Sequence, residues 1–531
     1  MRKPGRSKRA LFVSLLVAAL TPLVAVAPSA QAKPPGHGGS GVVAGPRFTD
    51  QQRAVLYGIA KDTWKFYASD LDPKTHLPLD NLGPGGIRGS YTSSANVGTY
   101  LWAVVAAQDL GLVSRHKATS MISATLTSVS KIKRSFGFLY QWYDTTTGKV
   151  IQNPGQADCS TETTPAQDNC YFLSAVDNGW YASGLMVARQ AFPELNRQAS
   201  SLLNQMDFSI FYDNRAQTAC NVNAAIDNQP TGQMYGGYYV DQGPAGYHNG
   251  ALYSDPRIAM YVGMGKHQMP GDVWWRTWRT LPPQRCSTDP DFSWQGQPAP
   301  QGHWTTIRDP QSGKKFRVWE GHYTYPGSSL KFIPTYNGGM FEGLMANNVV
   351  PETSWGPRSF GLADRRLAQV QIKYARQQLK YPVWGISPSS TADDTGGYNA
   401  FGAQGQLFPK GQQLAQGPCD PTAGDCSAVE STVTPHASFV ALDVAPQQAF
   451  TNIVKLRTLY PDVYSRKGGF YDAVNPATGA VGHRRLVLDQ SMIMASLDNA
   501  LNNRQLQRWF AKDPISHAAK LYLGSETMSL G

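Results

Sequence analysis

Six acidic residues sit where side chains can do chemistry, at expected helix starts or in glycine-rich loops. They are Asp177 in SAVDNGW, Asp255 in LYSDPRIAMYV, Glu342 in YNGGMFEGLM, the adjacent Asp393 and Asp394 in STADDTGGYNAFG, and Asp489 in LDQSMIMASLDNAL. Carboxyl groups converging on a cleft suit cleavage of a glycosidic bond, which needs one protonated group and one ionised group on either side of it. Each has a plainer role to weigh. Asp255 precedes Pro256 and reads equally well as a helix N-cap, as does Asp489 at the head of its helix. Glu342 follows Gly338-Gly339 in an apolar stretch, where a carboxylate without a task is costly, so a functional role is favoured there.

The elements that must hold these groups read as helices. Thr49 or Asp50 can cap a first helix, and apolar residues recur at helical spacing in roughly a dozen segments as far as Ala511. Alternating strand patterns are scarce. Two short hairpins are predicted, at 136–151 and 235–240. Long loops joining that many helices, without a fixed-period repeat, predict an all-α toroid of inner and outer helices with a loop-walled cleft. Residues 207–335 form an irregular insertion rich in Trp and Tyr, including Trp274, Trp275, Trp278, Trp294, Trp304 and Trp319, rings that can stack on sugar when exposed.

Composition narrows the function. Arg2, Lys3, Arg6, Lys8 and Arg9 precede an apolar run ending in Ala30-Gln31-Ala32, the pattern of a signal peptide spanning 1–32, so export to the cell exterior is expected. A Pro/Gly-rich linker at 33–47 precedes a single domain at 48–531. The formal charge of +11 falls to +6 once the five leader cations are removed, and the remaining basic residues are scattered along the sequence. No nucleic-acid partner is expected, nor stable membrane insertion, and the chain reads as a monomer. Six cysteines in an exported chain suggest disulfides, most simply Cys159–Cys170, Cys220–Cys286 and Cys419–Cys426. No metal spacing, nucleophile elbow or phosphate loop is present, so neither metal nor cofactor is expected.

Ten segments taken in order, among them SSANVGTYLWAVVAAQDLGL, FGFLYQWYDTTTG, SAVDNGWYASGLMVARQ, YSDPRIAMYVGMGK, GGMFEGLM, GGFYDAVNP and LDQSMIMASLDNAL, resemble the glucoamylase-like domain found in endo-β-1,2-glucanases and near the C-terminus of cyclic β-1,2-glucan synthases. The resemblance implies an (α/α)6 barrel and a cofactor-free glycoside hydrolase, most plausibly acting on β-1,2-glucan. It also implies catalytic roles for Asp255, Glu342 and Asp177. Asp255 stands where the family usually has glutamate in Ser-Glu-x-Arg, and Pro388 stands where a glutamate follows Trp-Gly-Ile-Ser. The loop from Tyr381 to Gly405 then becomes a binding wall, with Trp384 and Tyr398 stacking on sugar, and Trp142 is a further substrate-binding residue. Asp393, Asp394 and Asp489 line it, and Asp394 is a stand-in for the missing carboxylate. The alternative is a glycan-binding protein that keeps the cleft and lacks the chemistry.

Overall fold

The computed structural model describes residues 41–156, 158–159, 170–215, 231–280, 301–335, 338–403 and 432–531. Helix starts follow their capping residues. Thr49 opens α1 (Asp50–Trp64): its hydroxyl accepts the Gln52 N–H while the Gln52 side chain accepts the Thr49 N–H. Ser93, Ser114 and Ser174 cap α2 (Ser94–Asp109), α3 (Arg115–Lys131) and α4 (Ala175–Ala191) in the same way through one side-chain bond each. Downstream lie α5 (Asn196–Gln205), α6 (Arg257–Gly265), α7 (Asp272–Arg276), α8 (Met340–Leu344), α9 (Glu352–Trp355) and α10 (Phe360–Lys373). The last third holds α11 (Pro435–Val440), α12 (Pro446–Leu459), α13 (Val487–Leu501), α14 (Gln505–Lys512) and α15 (Ser516–Ser525).

Two kinds of helix alternate. In α2 every residue from Ser94 to Ala107 is buried, and α6, α8, α11 and nearly all of α13 are likewise enclosed. By contrast α3 buries one stripe, Ala118, Ile122, Thr125, Leu126 and Val129, and turns the rest outward. The enclosed helices pack in series: α2 on α4, α4 on α6, α8 on α11, α11 on α13, and α13 back on α2. Arg257 links α6 to α8 by donating to the Glu342 and Gly343 carbonyls. The single-stripe helices back them, α3 on α2, α5 on α4, α10 on α8, α12 on α11 and α1 on α13. Glycine permits the closest approach. A Cβ on Gly98 would lie 2.4 Å from the Trp180 carbonyl oxygen, and one on Gly184 would lie 2.3 Å from that of Gly98, so α2 and α4 meet backbone to backbone.

Strands are short, with one exception. Gln301–Arg308 pairs antiparallel with Lys315–Thr324 in a long hairpin that the sequence reading missed, within the stretch taken as irregular. The expected hairpin around 235–240 is present as Gly237–Tyr239, paired with Phe172–Ser174 on one side and Gly243–Pro244 on the other. Around 136–151, Tyr143–Asp144 pairs with Tyr91–Thr92, and Tyr143 also bridges to Val150. The tryptophans of the insertion are mainly core. Trp274 is fully buried and donates to Glu526, and Trp275 donates to Asp309. Trp294 lies outside the described residues, as do 1–40 with the expected leader and most of the linker. The end of that linker is not loose: Val42 is buried, and the Gly45 N–H donates to the Asn503 side chain at 2.8 Å. Cys159 and Cys170 form the expected disulfide, and the other four cysteines lie outside the described residues. No described helix is long and apolar enough to cross a membrane.

Candidate active site

The first turns of the enclosed helices bring the acidic groups together. Asn96, Asp177, Glu342 and Asp489 are each the third residue of α2, α4, α8 and α13, His436 is the second of α11, and Asp255 lies two residues before α6. Asp255 caps nothing with its side chain, and neither does Asp489, so the plain reading fails for both.

Asp255 and Glu342 touch. They share a hydrogen bond, and the Ser254 hydroxyl lies 3.3 Å from Asp255 Oδ1 and 3.2 Å from Glu342 Oε2. Two carboxylates this close cannot both ionise at moderate cost. Burial drives the Glu342 pKa well above its ordinary value, and the Asp255 charge pushes it further. Burial also raises Asp255, but the bond from Glu342 and the nearby Arg257 offset part of that. Glu342 therefore holds the shared proton. The pair is fixed from behind by Arg257, fully buried, which clamps Glu352 through Nε and Nη2 at 2.7 and 2.8 Å and holds the Ser254 carbonyl at 2.8 Å. Pro388 sits against the start of α8, close enough that a Cβ on Gly339 would lie 2.8 Å from its Cδ. The proline thus occupies space beside the pair.

Asp177 stands next to them. Gln141 donates to its Oδ2 at 2.8 Å, and burial followed by Asp255 repulsion pushes its pKa up to about 6.

A second pair lies at the starts of α11 and α13. Asp472 and Asp489 share a hydrogen bond; burial pushes Asp489 up to about 7 and Asp472 well above its ordinary value, the latter further raised by the Asp489 charge. Asp472 holds that proton and Asp489 accepts it. The Ser390 N–H and hydroxyl fix Asp472 Oδ2 at 2.7 and 2.8 Å. His436 Nδ1 lies 3.2 Å from Asp489 and 2.9 Å from the Thr434 hydroxyl, and burial lowers its pKa to about 4, so the ring is neutral. His436, Asp472 and Asp489 each place a donor atom within 4.8 Å of the other two, and they are the group among the described residues whose spacing could hold a metal ion. A proton between the carboxylates meets the same electrostatic need.

Tyr398 joins the two pairs. Its side chain is 52 % exposed, yet its hydroxyl pKa is raised by enclosure and then by the charges of Asp489, Asp472, Glu342 and Asp80. Its hydroxyl therefore lies within electrostatic reach of both pairs. Asp80, held by Asn81 and by Asn96 at the start of α2, completes the acidic ring, with Tyr91 and Trp142 edge to face at 5.6 Å nearby.

Three expectations for this wall need correction. Trp384 is fully buried, with its backbone N–H and carbonyl bonded to Asn452, so its ring presents no face to a ligand. Asp393 is exposed and knots a turn, accepting from Thr391 and Thr395, which holds its pKa below the ordinary range. Asp394 is exposed too, with a left-handed backbone, and is paired with His483 at 2.9 Å; it does not stand in for a missing site carboxylate. Tyr398 and Trp142 are accessible, as a binding wall requires. The sequence reading missed Asp80, Gln141 and Asp472. For Asp472 a signal existed, since it lies in GGFYDAVNP, one of the segments that carry the resemblance.

Comparison with known proteins supports the family. A model described as "Putative glucoamylase" matches residues 325–514, and one for a protein family of unknown function, DUF3131, matches 58–248. Over 204 residues the chain is 29 % identical to the cyclic β-(1,2)-glucan synthase NdvB of Rhizobium meliloti, a stretch covering 36 % of this chain and 6 % of that protein. The chain thus spans a small fraction of that relative. Its fold is similar to that of the endo-β-1,2-glucanase of Chitinophaga pinensis, solved with sophorotriose and glucose (TM-score 0.58, 15 % identity, covering 90 % of this chain and 98 % of that one). It is also similar to the β-1,2-glucanase of Parabacteroides distasonis (TM-score 0.63, 16 % identity, covering 90 % and 61 %). A third is the endo-β-1,2-glucanase of Talaromyces funiculosus, solved as a mutant with β-1,2-glucan (TM-score 0.53, 10 % identity, covering 89 % and 92 %). The chain thus matches the glucoamylase-like family model over residues 325–514 and shares its fold with solved β-1,2-glucanases.

Proposed function

We propose that this protein is an exported glycoside hydrolase that cuts β-1,2-linked glucan at a cleft formed by the inner helices of an (α/α)6 barrel. The observation that carries this reading is the presence of two proton-sharing carboxylate pairs, Asp255–Glu342 and Asp472–Asp489, both within electrostatic reach of Tyr398. A glycosidase needs an acid that keeps its proton near neutral pH and a base that has lost its own. Glu342, protonated and backed by Asp255, suits donation to the departing glycosidic oxygen. Asp489, ionised beside the protonated Asp472, suits activation of a water from the other side. Asp255 and Glu342 cannot straddle one bond, because they bond to each other. Asp255 is therefore read as the group that poises Glu342, and Asp177, near the same pair, as a support for substrate. Tyr398 and Trp142 offer ring faces to sugar.

The test is incubation of the purified protein with linear β-1,2-, β-1,3-, β-1,4- and α-1,4-glucans, reading released oligosaccharides. Products from the β-1,2-glucan alone are expected. Binding to a glucan with no product from any of them would overturn the hydrolase reading and leave a glycan-binding protein.

A further inference from the structure

A groove of about 510 Å³ lies apart from the acidic cleft, built from the end of α3 (Ser128, Lys131) with Lys133 beyond it, the loop at Lys74–Thr75, the turn at Thr147–Val150 and the Asp158–Cys159 segment. Among the described residues it collects four lysines, Lys74, Lys131, Lys133 and Lys149, against one carboxylate, Asp158, which pairs with Lys149 at 2.5 Å. These cations come from three separate parts of the sequence. The fold gathers them through specific bonds: the Thr75 hydroxyl donates to the Thr145 carbonyl, and Asp144 accepts the Thr147 N–H and hydroxyl to set the turn that aims Lys149. A walled concavity with one sign of charge concentrates counter-ions of the other sign.

We infer that this groove is a second binding site that takes a strand of anionic polysaccharide. The choice among polyanions follows from the lining. Among the described residues that line it there is no aromatic ring on which a nucleobase could stack and no arginine to fork onto single phosphates. Lysines on flexible stems act as movable point charges and suit carboxylates spaced along a glycan. The chain that supplies Lys149 also supplies Gln141, bonded to Asp177, and Trp142, packed on Tyr91, so one stretch of sequence serves both places. A tethered acidic glycan would hold the protein in a polysaccharide matrix without occupying the acidic ring. This inference is independent of the hydrolase reading, because it is tested by binding alone.

The experiment is titration of the intact protein with polygalacturonate at low and raised salt, beside an oligothymidylate control. Binding that weakens with salt is expected, with Lys131→Glu/Lys133→Glu losing about tenfold in affinity. The variant Lys61→Glu/Lys467→Glu, whose residues do not line the groove, is expected to bind within about twofold of the parent. Absence of binding, equal loss in both variants, or equal affinity for oligothymidylate would each overturn the proposal. Circular dichroism and an unchanged melting temperature confirm that each variant is folded.

Discussion

Buried carboxylate pairs occur both in the cleft and far behind it, and the contrast shows what makes such a pair functional. Glu342, bonded to Asp255, lies within electrostatic reach of the half-exposed Tyr398. Glu320 and Glu526 face inward, where Glu526 is held by Arg279 and by the Trp274 ring N–H, and Glu320 lies 3.8 Å from Arg279. The chemistry of the two pairs is alike: burial pushes Glu320 up to about 8, and the neighbouring Glu526 charge adds to it. Their surroundings differ. In the rear pair Arg279 bonds directly to Glu526, whereas beside the front pair Arg257 gives its Nε and Nη2 to Glu352 and meets the pair's own segments through the Ser254 and Glu342 carbonyls. A pair bonded directly to a cation has its charge answered, and a pair whose neighbouring cation is bonded elsewhere keeps a proton to give.

The sharpest way to break this comparison is removal of the front proton. Glu342→Gln is expected to lower kcat by about 10³-fold with its circular dichroism spectrum unchanged, whereas Glu320→Gln leaves kcat within about twofold. Equal losses in both would erase the distinction. Asp489→Asn is expected to cost about 10²-fold or more, and the pH profile of kcat/KM tells which base is used. The base must be ionised, so activity rises with pH through its pKa: an acidic limb near 7 fits Asp489 and one near 6 fits Asp177.

The rear pair makes its own prediction through stability. Glu320 has a folded pKa above its unfolded value, so its contribution is fully present below about 4.5 and is lost as pH rises through about 8. The parent protein should therefore lose melting temperature between pH 5 and about 9 more steeply than Glu320→Gln, and parallel curves would show that Glu320 is not the titrating group. The smallest effects belong to the loop. Trp142→Ala is expected to raise KM several-fold, and Asp394→Asn to leave kcat and KM within about twofold.

Much of this was legible in the sequence. Helical periodicity places the inner helices to within a few residues, and the glycines around Glu342 mark it as special. Asp393 and Asp394 misled because two adjacent acids among aromatic residues look like a site, yet turn geometry turns one to Thr391 and Thr395 and the other to His483. Trp384 misled for a related reason: a tryptophan flanked by glycine looks exposed, and only the packing of α12 across it, through Asn452, shows otherwise. The lysine groove could not be read at all, since no local pattern links Lys74 to Lys131 and Lys149. Asp472 was passed over because its partner Asp489 stands seventeen positions away.

One consequence follows from where the enclosed helices begin. Peptide dipoles in α2, α4, α6 and α13 all place their positive ends at the acidic ring, and those ends carry fractional positive charge. The ring of carboxylates is therefore met by a diffuse field of the opposite sign that no side chain supplies. Such a field moves no proton, but it lowers the cost of keeping several acids in one small space. It also makes the floor of the cleft close to neutral as felt by an uncharged sugar, so a glucan would enter under hydrogen bonding and ring stacking, with little dependence on salt. The lysine groove, where the described cations outnumber Asp158 and the negative end of α3 offsets them only in part, is the face of the molecule on which salt should tell.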